Sequence, residues 1–438
     1  MMSLGVSLQT GWLPWTVIVL GLAGGTYLLC RRDRWWWLYL VPGVAAVSAV
    51  IAWILGRTVA ESLIAQALTT SDIVWIAVGI AAVGLAIGFM FGTPWWRKIL
   101  AVIAALAVLA LAGNEINKSY SEFPRFGDLF GVSGDDQISG PPSIASSVPA
   151  TSAAPKPTGP LSTVWTPTGP NIPADGHGRI SQLDLPATQA GFEPRQAWVY
   201  YPPAYFADNT EPLPVLILLH GVPGGPGDWV TGDRLQGVMN DFAAKHNGIA
   251  PVVVMPDGTG GQLTNSLCTD SSLGKLDTYL SKDVPNSIRA QLKVDPDPKH
   301  WAIGGFSYGG TCAIQLVTNH PDVYSSFIDV SGDQEPTLGS RQQTVDTAFG
   351  GDESKFKAIN PIDIMASKKF PGIAGRFIVG GDDTGSLAGQ QAIYQAAKNA
   401  GMDVQFLQVP GVGHDWSLAV SGLTTAMPWL AQRLNITA

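Results

Sequence analysis

Gly305-Phe306-Ser307-Tyr308-Gly309 follows the apolar run Trp301-Ala302-Ile303 and precedes the small-residue stretch Gly310-Thr311-Cys312-Ala313, which places a serine at a strand-to-helix turn. That is the layout of a nucleophile elbow, a strained turn that lifts the serine hydroxyl to where a base and a substrate can reach it. Little more than glycine fits two positions before and after such a serine. A chain with 50 glycines also produces G-x-S-x-G by chance, so the reading turns on what surrounds the motif.

Working outward, the 438-residue chain changes character along its length. Residues 11–113 are dominated by Ala, Val, Leu, Ile, Gly and Trp, in apolar runs near 11–30, 35–56, 72–92 and 96–113. Each run is long enough to cross a bilayer core of about 30 Å, which takes about 20 helical residues. There is no basic amino-terminal region and no small-residue cleavage site after the first run, so the expectation is four membrane helices rather than a signal peptide. Arg31, Arg32 and Arg34 lie between the first two spans and Arg97 and Lys98 between the last two, whereas the 57–71 loop has Arg57 alone. The positive-inside rule then makes both basic junctions cytoplasmic and the segment after residue 113 extracytoplasmic. Trp12, Trp15, Trp35, Trp36, Trp37, Trp75, Trp95 and Trp96 fall near span ends, where indole rings favour the headgroup region. With no ionisable residue in mid-span, the module reads as an anchor or partner-docking bundle rather than an ion path.

Residues 114–175 are rich in Ser, Pro, Thr, Ala and Gly, as in Pro141-Pro142-Ser143 and Thr151-Ser152-Ala153-Ala154-Pro155, and read as a flexible tether that cannot bury a core. A net charge of −8 without a basic run outside the membrane loops excludes a nucleic-acid partner. Cys30 ends the first span and is expected to be free, while Cys268 and Cys312 both fall in the extracytoplasmic domain and are expected to pair. Two free buried thiols are the alternative.

From residue 176 short apolar runs alternate with amphipathic stretches, the pattern of an α/β domain with a mostly parallel sheet. The expected strands are 179–185, 196–201, 214–219, 251–255, 300–303, 327–330, 376–379 and 404–409, with helices over 276–290 and 390–400 among those between them. Ser307 follows the fifth strand, the order of an α/β-hydrolase. In that fold the chain order is serine, acid, histidine. His414, in Gly411-Val412-Gly413-His414-Asp415-Trp416 after the last strand, is the expected general base and acid; His320, before Pro321, is read as a capping or surface residue. Gly380-Gly381-Asp382-Asp383 follows the penultimate strand, and a Gly-x-x-Asp spacing favours Asp383 as the acid with Asp382 as the alternative. The aspartate that does not meet His414 is expected to cap the next helix.

Acyl transfer also needs donors for the tetrahedral oxyanion. The expected ones are the backbone N–H of Tyr308 and that of Val222 in Leu218-Leu219-His220-Gly221-Val222-Pro223-Gly224-Gly225, since Pro223 has no N–H to give. His220 precedes the elbow and is read as holding that loop; Asp257 is read as shaping a turn after the fourth strand. No H-E-x-x-H or paired Cys-x-x-Cys spacing occurs, so neither a metal nor a cofactor is expected.

Residues 176–438 resemble the putative-esterase branch of the α/β-hydrolases, with its feruloyl and acetyl carbohydrate esterases, S-formylglutathione hydrolase and mycolyltransferases. Leu219-His220-Gly221, Gly305 to Gly310, Gly380 to Asp383 and His414-Asp415-Trp416 carry that resemblance. The preceding membrane bundle, the tether and the two cysteines are similar to a membrane-bound esterase-like group of actinobacterial envelopes. The resemblance implies an acyl-ester or glycolipid substrate in the cell envelope; mycolyltransferases, by contrast, are secreted without such a bundle. Two other readings compete: a catalytically silent scaffold or binding protein, whose bundle would dock a membrane protein partner, and a transport subunit.

Overall fold

Val215-Leu216-Ile217-Leu218-Leu219 is buried along its whole length, as a strand covered on both faces of a parallel sheet must be. In the computed structural model, which describes residues 5–31, 33–59, 68–130, 137–142, 159–209 and 211–438, this run is β3 of a mostly parallel sheet. The chain divides into two units, Met1–Val132 and Ser133–Ala438.

The first unit holds four helices long and apolar enough to cross a membrane: α1 (Trp12–Leu29), α2 (Trp36–Arg57), α3 (Thr70–Phe89) and α4 (Trp95–Tyr120). Their contacts depend on small residues, which let helices approach without a hydrophobic driving force. A Cβ on Gly24 would lie 2.6 Å from the Ala104 carbonyl oxygen, and one on Gly79 3.2 Å from Leu109. Outward-facing residues such as Leu20, Leu38, Val50, Ile87 and Leu106 are exposed and apolar, so the helices are apolar all round, as lipid-facing helices are. Trp12, Trp15, Trp35, Trp37, Trp95 and Trp96 are also exposed, but Trp36 is buried; its ring packs edge-on against Phe89 at 5.0 Å. The expected end of the fourth span at 113 is too early. The helix runs on to Tyr120, whose hydroxyl donates to Asp72 Oδ2 at 2.8 Å, and Lys118 bonds Glu115 at 2.6 Å. Asp72 in turn closes a capping box with Thr69 that starts α3.

The tether is shorter at its other end as well. Leu161 and Ser162 donate backbone N–H bonds to the Asn435 and Ile436 carbonyls at 2.9 and 3.0 Å. Trp165 is buried, and its indole N–H bonds the Asn209 carbonyl at 3.0 Å. Residues from 159 onward thus pack as part of the second unit, as does Ile138, whose N–H bonds the Ile180 carbonyl at 2.8 Å, while Arg32 and the stretch Thr151-Ser152-Ala153-Ala154-Pro155 lie outside the described residues.

The second unit is built on eight strands: β1 (Arg179–Leu183), β2 (Ala197–Tyr201), β3 (Val215–Leu219), β4 (Val252–Met255), β5 (Trp301–Phe306), β6 (Ser326–Val330), β7 (Ala374–Gly380) and β8 (Asp403–Val409). Their spatial order is β1-β2-β4-β3-β5-β6-β7-β8, antiparallel at the β1–β2 and β2–β4 pairs and parallel elsewhere. All eight expected strands are present, with ends shifted by a few residues. Leu219 pairs with Gly305, Phe306 with Val330, and Gly380 with Val409, so the parallel strands end along one rim. Among the helices that leave that rim are α5 (Tyr308–Asn319) after β5, α6 (Leu387–Asn399) after β7 and α7 (Trp416–Arg433) after β8. The stretch expected as one helix over 276–290 is helical to Gln291 but passes through a π-helical turn at Tyr279–Asp283. A short hairpin, Asp270–Ser271 with Gly274–Lys275, was not legible in the sequence. Cys268 and Cys312 form a disulfide, and Cys30 is free and exposed.

Candidate active site

Ser307 stands between the end of β5 and the first residue of α5 with φ 57° and ψ −120°. A side-chain-bearing residue rarely adopts positive φ, and such strain persists where its surroundings enforce it. Here the enforcement is visible. The Ser307 N–H bonds the Val330 carbonyl at 2.8 Å, and its own carbonyl accepts from Gly310 and Thr311 at 2.9 and 3.1 Å. A Cβ on Gly305 would collide with the Gly309 backbone, and one on Gly309 with the Leu219 carbonyl. The glycines at both flanks are therefore steric requirements of the turn.

His414 sits on the loop between β8 and α7. Its Nδ1 lies 2.8 Å from Asp383 Oδ2 and 3.2 Å from Ser386 Oγ. The carboxylate accepts, so Nδ1 carries the proton and Nε2 presents a lone pair. Burial alone would raise the Asp383 pKa, but the hydrogen bond and charge of His414 outweigh it and hold the carboxyl below its ordinary value. Asp383 Oδ1 also accepts the Ser386 N–H at 3.1 Å. Of the two adjacent aspartates, Asp383 is buried against His414, whereas Asp382 is exposed. The expected helix cap is not made by Asp382, since the α6 N-cap is Ser386 without a side-chain bond and the nearby carboxylate that takes an N–H is Asp383.

His414 packs against the elbow through Phe306 and makes no hydrogen bond to Ser307. Nε2 is buried without a hydrogen-bond partner, and the ring rests on Phe306, the residue before the serine, at 4.8 Å between centroids. Catalytic hydrogen bonds in unliganded sites are often long and tighten with substrate. Trp416 supports Phe306 from behind at 5.3 Å.

The backbone N–H groups of Val222 and Tyr308 have no acceptor among the described residues. Gly221 approaches the elbow closely enough that a Cβ there would lie 3.5 Å from Ser307 Cβ. His220 holds this loop: its Nδ1 bonds the Gly221 carbonyl at 2.7 Å, and its Nε2 accepts the Gly258 N–H at 3.3 Å. His320 stands at the end of α5, where its Nε2 bonds Asp277 at 2.8 Å.

Two supports were missed from sequence. Arg195 donates to Asp257 through Nε at 3.0 Å and Nη2 at 2.6 Å, and its Nη1 bonds the Gly224 carbonyl at 2.9 Å. Asp257 does shape its turn, accepting the Thr259 and Gly260 N–H groups at 3.1 and 3.0 Å, but it is equally an ion-pair partner. Burial pushes its pKa up, yet the His220 ring and the Arg195 guanidinium hold it well below the carboxylate range. The second support is the Tyr308 side chain. Its hydroxyl donates to the Gly258 carbonyl at 2.9 Å, accepts the Cys268 N–H at 3.0 Å and lies 3.1 Å from Ser266 Oγ. No local pattern marks either one, because the partners lie 40 to 62 residues away in the chain.

A protein-family model described as "Putative esterase" matches residues 192–402. An uncharacterized protein of Corynebacterium glutamicum is 35% identical over 370 residues, covering 82% of each chain. That share exceeds what the 133–438 unit alone holds, so the similarity takes in part of the helical unit. Among solved structures, a ferulic acid esterase superposes with a TM-score of 0.51 at 21% identity, covering 59% of this chain and 99% of its own. An S-formylglutathione hydrolase from Agrobacterium tumefaciens gives 0.50 at 17% identity, covering 59% and 96%. Both share the fold of the second unit. The chain belongs to the putative-esterase family of the α/β-hydrolases and is an enzyme of the carboxylic-ester hydrolase or acyltransferase class.

Proposed function

We propose that this protein is a membrane-anchored serine esterase or acyltransferase that acts on an ester of the cell envelope through Ser307, His414 and Asp383. The observation that carries the reading is a strained serine at the elbow, whose neighbour Phe306 packs on a histidine ring whose Nδ1 is held by Asp383 and whose Nε2 is unclaimed. Ser307 Oγ attacks the ester carbonyl carbon while its proton passes to Nε2. The Asp383 carboxylate stabilises the imidazolium so formed. The oxyanion accepts the unclaimed N–H groups of Val222 and Tyr308, a stabilisation worth about 2.7–4 kcal/mol per donor in the transition state. The C–O bond then breaks, the leaving alcohol takes the proton from Nε2, and water or an acceptor hydroxyl resolves the acyl-enzyme by the same steps in reverse.

The four apolar helices supply the anchor, and the chain between α4 and the hydrolase domain, which is first held where the Ile138 N–H bonds the Ile180 carbonyl at 2.8 Å, supplies the tether. The basic residues between α1 and α2, with Arg97 and Lys98 in the first turn of α4, favour a cytoplasmic position for both junctions, which would leave the hydrolase domain outside the cytoplasmic membrane. A disulfide in that domain fits an oxidising compartment. The full-length protein in detergent should react with a fluorophosphonate probe, and Ser307→Ala should not. An unlabelled wild type, or a variant labelled as strongly, would overturn the proposal.

A further inference from the structure

Asp333 is a second carboxylate at the serine rim, three residues past the end of β6. β6 lies between β5, which ends at the elbow, and β7, which leads to Asp383, so Asp333 emerges between the nucleophile and the acid. Its backbone is rigidly held: the Asp333 N–H bonds Thr311 Oγ1 at 2.8 Å, and the Thr311 N–H bonds the Ser307 carbonyl at 3.1 Å. The residue before it is fixed at both ends, with the Gly332 N–H on Asp329 Oδ1 at 2.9 Å and its carbonyl on Gln390 Nε2 at 2.7 Å. The Asp333 side chain itself is exposed, and no hydrogen bond or ion pair engages its carboxyl among the described residues.

The surrounding protein raises the Asp333 pKa, with His414 opposing that rise and the charge of Asp383 adding to it. A carboxylate carried at that rim, with no cation paired to it among the described residues, repels a negatively charged group on an ester bound at Ser307 and accepts hydrogen bonds from a neutral donor. Selectivity built by repulsion is as effective as selectivity built by attraction.

We propose that Asp333 is a specificity-determining residue that turns the site away from esters bearing an anionic group next to the reacting carbonyl and toward uncharged, hydroxyl-bearing ones. The assignment rests on Ser307 being the nucleophile. Two matched chromogenic esters test it on the full-length protein, neutral 2-nitrophenyl butyrate and anionic 3-butyryloxy-4-nitrobenzoate, with wild type, Asp333→Asn and Asp333→Glu. For the anionic ester, Asp333→Asn should raise kcat/KM about tenfold, mainly through KM, from the loss of one like-charge contact near a protein surface. The neutral ester should change by less than about twofold and Asp333→Glu should restore the wild-type preference. An unchanged ratio of the two esters in Asp333→Asn overturns the assignment, with Ser307 labelling by the fluorophosphonate probe reporting that the variant is folded. If neither ester is cleaved and Ser307 is unlabelled in the wild type, it is the esterase reading that fails, and this assignment falls with it.

Discussion

Asp382 and Asp383 are adjacent in the chain and opposite in environment, one exposed and one buried against His414. Asp383→Asn keeps the size of the side chain but offers an N–H where the imidazole needs an acceptor, so the ring loses the tautomer that leaves Nε2 free. The comparable change in serine proteases costs about 10⁴-fold in kcat. A loss of about that size is expected here, with KM nearly unchanged, whereas Asp382→Asn should stay within about twofold of wild type; steady-state kinetics on a neutral nitrophenyl ester decide it. The same contact sets an acid limit. The Asp383 pKa is depressed in the folded protein, so its contribution to stability is present above the ordinary carboxylate range and fades as pH falls through the lower, folded value.

At the scale of elements, the turn from β5 into α5 is held from two sides. The glycines fit the backbone of the elbow against β3, and the Tyr308 hydroxyl ties the start of α5 to the 258–268 loop. That loop is tied again to α5 by the disulfide from Cys268 to Cys312, and Gln315 bonds the Cys268 carbonyl at 2.9 Å. Tyr308→Phe would leave the Gly258 carbonyl and the Cys268 N–H unpaired in a buried setting, at a cost of about 1–3 kcal/mol. Because Tyr308 also carries a proposed oxyanion donor on its backbone, kcat should fall while KM holds. Chemical denaturation and kinetics measure the two effects separately; a variant as stable and as fast as wild type would show that the hydroxyl supports nothing.

For the whole molecule, the proposed topology makes a claim that one native thiol can test. Cys30 is free and exposed at the end of α1, beside the junction assigned to the cytoplasm, while Cys268 and Cys312 are joined. A membrane-impermeant maleimide should leave Cys30 unlabelled in intact cells and label it after permeabilisation. Labelling in intact cells would invert the orientation and place the hydrolase domain inside.

Much of this molecule was legible along the chain, for a reason of length scale. Apolar runs long enough to span a bilayer, alternating strand and helix patterns, and a G-x-S-x-G turn all depend on residues within about 20 positions of one another. The strand list and the position of Ser307 after the fifth strand came from that local information alone. The ends of the tether did not, because α4 continues by an anchor between Tyr120 and Asp72 and, on the far side, Ile138 bonds Ile180 and Leu161 bonds Asn435. The Gly-x-x-Asp spacing favours Asp383 over Asp382, but only the fold shows which of the two side chains meets His414. The Arg195–Asp257 pair, the Tyr308 anchor and the position of Asp333 at the strand rim between the elbow and Asp383 likewise exist only where distant segments converge. Local sequence determined what the elements are; the folded sheet, by bringing its strand ends to one rim, decided which side chains meet there.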